Sequence, residues 1–181
     1  SSALNILDPG AASPREAVCR DLEQLAKLTG ALAAYKIQST AIVPSDVPRE
    51  TADRIRLFYA LNGCAKPIVT GTFSDDGFEP MARMLELVRG GAAQLRDYPL
   101  AIFDCCATPP LKWSKLTVSV LVECARRGIP AEIIPVPLCG ATAPVTLDGS
   151  LVQIAAENLS GIAIHQLVNP GAPVIWGGCP M

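Results

Sequence analysis

The stretch Tyr98-Pro99-Leu100-Ala101-Ile102-Phe103 is the clearest strand signal in this chain of 181 residues. It is a proline followed by a short apolar run. The same pattern occurs three more times, in Lys66-Pro67-Ile68-Val69, Ile129-Pro130-Ala131-Glu132-Ile133-Ile134 and Ala172-Pro173-Val174-Ile175-Trp176. The first three runs are each followed by a segment with helical periodicity. Because parallel strands need a long crossover between them, these repeated units predict a parallel sheet.

The amino-terminal third is expected to contain two helices and one weak strand. A capping box of Ser13 and Glu16, with Pro14 at the first helical position, predicts a helix that ends at Gly30. Residues 34–43 suit a strand, although Gln38 and Ser39 interrupt its apolar character. The second helix is predicted from Asp46 and Pro48 to Gly63, and its buried side is predicted to carry Ile55, Phe58, Tyr59 and Asn62.

The rest of the chain alternates between strands and helices. A third helix, with Met81, Met84, Leu85 and Val88 on its buried face, is predicted to end at Gly90-Gly91. The other predicted elements are strand 68–72, turn 74–77, strand 100–106, helix 113–128, strand 132–136, loop 137–147, helix 148–168 and strand 174–176.

The continuous apolar character of the strands predicts that both faces of the sheet are covered, as in an α/β protein built from parallel β-α units. About five strands are expected in a single domain of residues 1–181. A closed eight-stranded barrel needs roughly 200 residues or more, whereas an open doubly wound sheet would be complete at this length. The chain ends directly after a strand with no covering helix, so we favour a partial TIM (β/α)8 barrel and a central fragment of a larger protein.

Composition narrows the class of function. The net charge is −2 and the basic residues are scattered, which argues against nucleic-acid binding. We find neither an apolar stretch long enough for a membrane helix nor an amino-terminal signal sequence, so a cytoplasmic location is the default expectation. The seven cysteines form no CxxC pair and are expected to be reduced thiols.

The residues that follow the predicted strands are the candidate site, because β-α folds assemble their sites at the carboxyl ends of strands. They are mostly small and uncharged with many free backbone donors, which suits a wide, flat ligand. Asp104 is the exception. A carboxylate at the end of a buried strand has either a site role or the role of capping the next turn.

Two segments carry a family resemblance: Gly140-Ala141-Thr142-Ala143-Pro144-Val145-Thr146-Leu147, and His165-Gln166-Leu167-Val168-Asn169-Pro170-Gly171-Ala172-Pro173-Val174-Ile175-Trp176-Gly177. They resemble the middle of the trimethylamine methyltransferase family. These are corrinoid-dependent enzymes built on a TIM barrel, and they include glycine betaine methyltransferases. The Lys66-Pro67 strand and the Gly90-Gly91 helix end fit the same pattern. The trimethylamine enzymes proper use pyrrolysine, and no such residue occurs in these 181 positions.

The resemblance implies transfer of a methyl group from a methylated amine to the cobalt of a corrinoid carried by a partner protein. Asp104 is then the expected catalytic residue, and the aromatic residues Tyr35, Phe73 and Trp176 are expected to hold an onium substrate. No metal is expected in this chain. The residues expected to face the corrinoid are Thr70, Thr72, Thr108, Gly140, Thr142, Gly177 and Gly178.

Two alternatives remain open. One is a non-catalytic partial barrel that self-associates to cover its open edge, which would make the chain a homo-oligomer. The other is a zinc-dependent methyltransferase that uses Cys105, Cys106, Cys139 and Cys179, although their spacing is not diagnostic. His165, the only histidine, is expected to be structural because it lies on the buried face of the long helix, far from a strand end.

Overall fold

A computed structural model describes residues 2–181, which divide into two compact units, residues 2–101 and residues 102–181. The strands are β1 Asn5–Ile6, β2 Arg15–Glu16, β3 Gln38–Ser39, β4 Ile68–Thr70, β5 Ala101–Cys105, β6 Ala131–Ile133 and β7 Val174–Trp176. The helices are α1 Cys19–Ala31, α2 Ala52–Gly63, α3 Phe78–Arg89, α4 Ala92–Asp97, α5 Lys115–Arg127 and α6 Leu147–Val168, and a 3-10 turn, Arg49–Thr51, precedes α2.

The main sheet has five strands in the order β3-β4-β5-β6-β7, and helices alternate with its strands. Pairing is parallel between β3 and β4, between β5 and β6, and between β6 and β7. The predicted α/β class with parallel β-α units is therefore confirmed. Within residues 2–181 this sheet does not close on itself, which is consistent with part of a TIM-barrel-like fold.

The first helix begins later than the capping box predicts. Arg15 and Glu16 form β2, which pairs antiparallel with β1, so Pro14 cannot start a helix. Helix α1 starts at Cys19, where the carboxylate of Asp21 accepts a hydrogen bond of 2.9 Å from the backbone N–H of Val18. The predicted start at Ser13 was wrong because the two residues after Pro14 pair with β1 as a strand.

Gln38 and Ser39, which were expected to interrupt a strand, are the strand itself. The buried Gln38 side chain donates from Nε2 to the carbonyl oxygens of Ala60, Cys64 and Lys66, at 3.1 to 3.2 Å. It thereby binds carbonyl groups at and just after the end of α2. A polar residue is stable in this strand because its side chain donates hydrogen bonds to carbonyl groups near the end of α2.

The buried face of α2 also differs from the prediction. Phe58, expected to be buried, is 53% exposed, and Asn62 is exposed too. The face that packs inward carries Ala52, Asp53, Arg56, Leu57 and Ala60. An apolar pattern could not reveal this face because two of its members are charged.

Helix α3 ends as predicted, with Gly90 in the left-handed conformation at φ +92°. Met81 and Leu85 are buried as expected, but Val88 is exposed on the last turn of the helix. Helix α4 was not predicted. It begins directly after Gly91 and buries only Leu95, which gives a sequence pattern too short to recognise.

The second unit follows the predicted order of elements closely. Helix α5 begins at the N-cap Ser114, whose hydroxyl accepts a hydrogen bond from Thr117 N–H, and ends at Gly128 with φ +68°. The core of the second unit includes Phe103, Leu121 and Ile133. None of the helices within residues 2–181 is long and apolar enough to cross a membrane.

Candidate active site

A cavity of about 480 Å³ lies in the first unit, where β3 and β4 end. Val43 reaches it from the segment after β3, and Phe73 and Ser74 reach it from the segment after β4. The rest of its lining is Leu4, Arg49, Glu50 and Ala52. A cavity of this volume at the carboxyl ends of parallel strands is the kind of place where such folds bind small molecules.

The buried carboxylate of Asp53 shapes one wall of this cavity. It accepts hydrogen bonds from the Thr72 hydroxyl at 2.8 Å and from the Phe73 backbone N–H at 3.1 Å. Gly77 packs against this network, since a Cβ there would overlap Asp53 and Thr72. Asp53 of α2 therefore holds the segment that carries Phe73 in place.

The Arg56 guanidinium packs over the Phe73 ring. It lies 4.6 Å from the centre of the ring, and only 3% of the residue is exposed. It donates to the Thr40 hydroxyl at 2.9 Å and also to the carbonyl of Thr40 and the hydroxyl of Ser2. The sequence analysis missed Asp53 and Arg56, and the only available signal was their i, i+3 spacing on one helix face.

Three of the residues predicted for the first unit gather here and one does not. Phe73 lines the cavity, and Thr72 precedes it in the chain and donates to Asp53. Thr70 is buried, and its hydroxyl is 3.3 Å from that of Thr40. Tyr35 precedes β3 and therefore belongs to the amino end of that strand, away from Phe73.

In the second unit, Asp104 lies next to a second carboxylate that sequence reasoning did not single out. Asp104 of β5 and Glu132 of β6 are Cα partners, so both side chains point to the same face of the sheet. Both residues are half-buried. The argument that selected Asp104, a carboxylate inside an apolar parallel strand, applies equally to Glu132.

Trp176 is half-exposed at the end of β7, next to Gly177. The Gly177 N–H donates to Ile133 O at 2.8 Å, and its carbonyl accepts from Asn158 Nδ2 at 3.0 Å. A Cβ at Gly177 would lie 3.0 Å from Ile133 O, so glycine permits this close approach of the two strands. Gly178 is exposed.

The other predicted residues of this unit lie in turns. Thr108 is exposed and exchanges two backbone hydrogen bonds with Lys112. Gly140 has φ +80°, and its N–H donates to Ala143 O. The Thr142 hydroxyl accepts from Leu138 N–H at 2.9 Å. These contacts account for the local structure of both turns, and binding by these residues stays a prediction.

Burial differs among the seven cysteines. All seven are free thiols. Burial raises the pKa of Cys105, Cys106 and Cys124, and the nearby Asp104 carboxylate raises the pKa of Cys106 further. These thiols are therefore poorly suited to form the thiolates that zinc binding requires. Across residues 2–181, His, Cys, Asp and Glu side chains form no group of three or more that could hold a metal ion.

Comparison with known proteins identifies the family. Residues 3–180 match the family described as trimethylamine methyltransferase (MTTB). A trimethylamine methyltransferase, MttB, of Desulfitobacterium hafniense (strain DSM 10664 / DCB-2) is 29% identical over 96% of this chain and 35% of its own length. A glycine betaine methyltransferase of Desulfitobacterium hafniense (strain Y51) is 27% identical over 91% of this chain and 35% of its own length.

A proline betaine:corrinoid methyltransferase of Eubacterium limosum is 38% identical over 45% of this chain and 17% of its own length. The chain thus spans 35% of the length of the first two relatives. The family match, by contrast, covers residues 3–180, and it confirms the resemblance seen in the sequence. This chain belongs to the trimethylamine methyltransferase family.

Proposed function

We propose that this chain is part of a methyltransferase that moves a methyl group from a methylated amine, of the trimethylamine or glycine betaine type, to the cobalt of a corrinoid on a partner protein. The observation that carries the proposal is the family match over residues 3–180. Relatives named for trimethylamine, glycine betaine and proline betaine support the substrate class.

The bonds that form and break in this reaction determine what the protein must do. The electron pair of cobalt(I) forms a bond to the methyl carbon, and the pair of the breaking C–N bond stays on nitrogen. Cobalt is formally oxidised to cobalt(III), and the ammonium group becomes a neutral amine. The protein must hold the amine in line with its acceptor and keep water away.

In the proposed assignment, the first unit contributes the cavity at Phe73 as a substrate pocket. Asp53 and Arg56 act as positioning residues because they fix the segment and the ring that form its wall. Tyr35 remains a predicted onium contact, although its place at the amino end of β3 gives that role little support.

In the second unit, Asp104 is the proposed catalytic residue, with Glu132 beside it. Two carboxylates on one face of a sheet favour a positively charged group such as an onium substrate. Trp176 is the register partner of Ile133 and so points to the opposite face, and its onium contact stays a prediction. Thr72, Thr108, Gly140, Thr142 and Gly178 are proposed to face the corrinoid. Gly177 is proposed to lie beside Gly178 in that surface, and Thr70 would support it from behind because it is buried.

The partner in this scheme is a corrinoid protein, and the corrinoid is the methyl acceptor. We place the protein in the cytoplasm, and the seven free thiols support a reducing compartment.

The visible spectrum of a reduced corrinoid protein tests this proposal. The natural gene product that carries this sequence is mixed with cobalt(I) corrinoid protein and either trimethylamine or glycine betaine. We expect the cobalt(I) spectrum to be replaced by that of methylcobalt, and Asp104→Asn to slow the change by at least about tenfold. Asp148→Asn, an exposed carboxylate at the start of α6, is the matched control. An unchanged spectrum with both amines would contradict the proposal.

Self-association is a second candidate property. Helix α6 exposes five large apolar side chains, Leu147, Leu151, Val152, Leu159 and Leu167. Exposed apolar patches of this kind are typical of interaction surfaces. We expect light scattering at micromolar concentration to detect a homo-oligomer that Leu159→Glu weakens. A monomer at every concentration would rule this property out.

A further inference from the structure

The loop between β5 and α5 holds an exposed leucine in a strained backbone conformation. Leu111 has φ +54°, and within residues 2–181 it is the only residue other than glycine with a positive φ. Its side chain is 63% exposed, so packing of that side chain does not offset the strain. Thr108 and Lys112 close the loop with two backbone hydrogen bonds, at 2.7 and 3.1 Å. Strain of this kind, in a loop that follows a parallel strand, is typical of a functional site.

A buried carboxylate of α6 holds Leu111 in this conformation. Glu157 is 1% exposed, and its Oε1 accepts a hydrogen bond of 2.9 Å from the Leu111 N–H. The same oxygen accepts from Gln153 Nε2 at 3.1 Å, and that amide also donates to the carbonyl of Thr142 at 2.8 Å. The loop after β5 and the loop after β6 are therefore anchored to one pair of side chains on α6.

Glu157 uses only one of its two carboxylate oxygens. Oε2 is buried and has no hydrogen-bond partner within residues 2–181. Burial of a carboxylate is costly unless opposite charge and hydrogen bonds compensate it, and an apolar side chain of similar size would fill this place without that cost. The acceptor at Oε1 is what distinguishes Glu157 from such a side chain. Holding the Leu111 loop therefore accounts for a carboxylate at this position.

The surface around Leu111 is apolar with positive charge at its edge. Lys112 follows in the loop and Lys115 begins α5, and both are exposed. The sequence contains no Asp or Glu between residues 105 and 122, and residues 134–146, the loop after β6, contain no charged residue. A partner that fits this surface presents an apolar contact bordered by acidic groups.

We propose that Leu111 is a contact residue for the corrinoid protein and that Glu157 is its positioning residue. The corrinoid protein meets Leu111 with an apolar surface, bordered by Asp or Glu side chains that face Lys112 and Lys115. This inference rests on the proposed function, which brings that partner to the carboxyl ends of β5 and β6. It adds the residues and the chemistry of the contact.

Binding of the corrinoid protein and stability should respond in opposite directions to a change at Leu111. The corrinoid protein in its cobalt(III) form is titrated into the natural gene product, and calorimetry gives the Kd. We expect Leu111→Gly to raise the Kd by at least about fivefold, because an anchor side chain is lost. Its urea midpoint should equal or exceed that of the wild type, because glycine adopts a positive φ without strain. Leu87→Ala, at an 83% exposed leucine of α3, is the control and should leave the Kd unchanged.

Rescue by glutamine tests the role of Glu157. Glu157→Ala removes the acceptor and should raise the Kd by about three- to tenfold, whereas Glu157→Gln keeps an acceptor oxygen and should stay within about twofold of the wild type. Asn169→Ala is the matched control, because the Asn169 side chain donates to Ala125 O at 2.8 Å at the other end of α6. It should lower the urea midpoint, as Glu157→Ala does, and leave the Kd unchanged. Equal Kd values for Glu157→Ala and Asn169→Ala would overturn the positioning role.

Salt tests the charge of the partner's surface. The wild-type Kd should rise with salt concentration, because salt screens the attraction between the two lysines and the acidic border. Lys112→Gln should raise the Kd by about threefold at low salt and make it less dependent on salt. A wild-type Kd that is independent of salt would overturn the acidic border.

The inference and the proposed function fail in different ways. If the corrinoid protein binds with the expected dependence on Leu111 but receives no methyl group, the inference holds and the proposed function is wrong. If it receives a methyl group while Leu111→Gly binds it as the wild type does, the proposed function holds and the inference is wrong. Lower stability of Leu111→Gly with an unchanged Kd would show that another segment of the gene product covers Leu111, which also overturns the inference.

Discussion

The Asp53 carboxylate accepts a hydrogen bond of 2.8 Å from the Thr72 hydroxyl, and this contact joins the start of α2 to the segment that follows β4. Asp53 is 1% exposed, so the contact is shielded from water. The same carboxylate receives the backbone N–H of Phe73. One side chain therefore determines the position of the cavity wall.

Removal of the Asp53 carboxylate should destabilise the fold. We expect Asp53→Ala to lower the free energy of unfolding by about 2–3 kcal/mol, because four hydrogen bonds to a buried carboxylate are lost. Asp53→Asn keeps an acceptor oxygen and should cost about half as much. Urea denaturation measures both. A loss for Asp53→Ala no larger than that for Glu79→Ala, at an exposed position, would contradict this account.

Arg56 should be comparably important. We expect Arg56→Met to cost about 2–3 kcal/mol, since the hydroxyl and carbonyl of Thr40 lose a charged donor inside the protein. Arg83→Met removes an exposed guanidinium of α3 and should cost less than about 0.5 kcal/mol. Urea denaturation of the two variants gives the comparison. Similar losses would show that the buried contacts of Arg56 are unimportant for stability.

Two glycines should respond in opposite directions to alanine. A Cβ at Gly63 would lie 2.5 Å from Ala26 Cβ, where α1 and α2 pack, so Gly63→Ala should cost about 1–3 kcal/mol. At Gly30 the nearest atom is 3.4 Å away, and Gly30→Ala should stabilise α1 by up to about 1 kcal/mol. Thermal unfolding of both variants measures the difference. Stabilisation by Gly63→Ala would contradict the packing described for α1 and α2.

His165 should make stability depend on pH. It is fully buried on α6, and burial lowers its pKa below the ordinary value of 6.5. The unfolded chain therefore binds a proton first as pH falls. The free energy of unfolding should be independent of this group above about pH 7 and should decline below about pH 6.5. Denaturation between pH 5 and 7 measures the slope, and His165→Gln should reduce it. An equal slope in both proteins would contradict the prediction.

The sequence predicts the second unit better than the first. Strand β7 has its predicted bounds, and α6 begins one residue earlier than predicted. Glycines end α3 and α5 where expected. These elements are buried through apolar side chains or bounded by residues with special backbone conformations, and both features are visible in one sequence.

The first unit depends on polar side chains whose partners are distant in the sequence. Gln38 is stable in a strand because it binds the end of α2, and Asp53 and Arg56 are buried because residues after β3 and β4 meet them. Apolar periodicity carries no information about such partners. Asp104 was selected as a carboxylate in an apolar strand, and the same argument applies to Glu132. Only the strand register shows that the two side chains share a face of the sheet.

The most direct test of the central claim follows the methyl carbon itself. Glycine betaine labelled with ¹³C in its methyl groups is incubated with the natural gene product and cobalt(I) corrinoid protein, and NMR records the label. We predict one labelled methyl group on cobalt for each molecule of dimethylglycine formed. Label that stays on nitrogen, with labelled trimethylamine as well as with glycine betaine, would contradict methyl transfer by this protein.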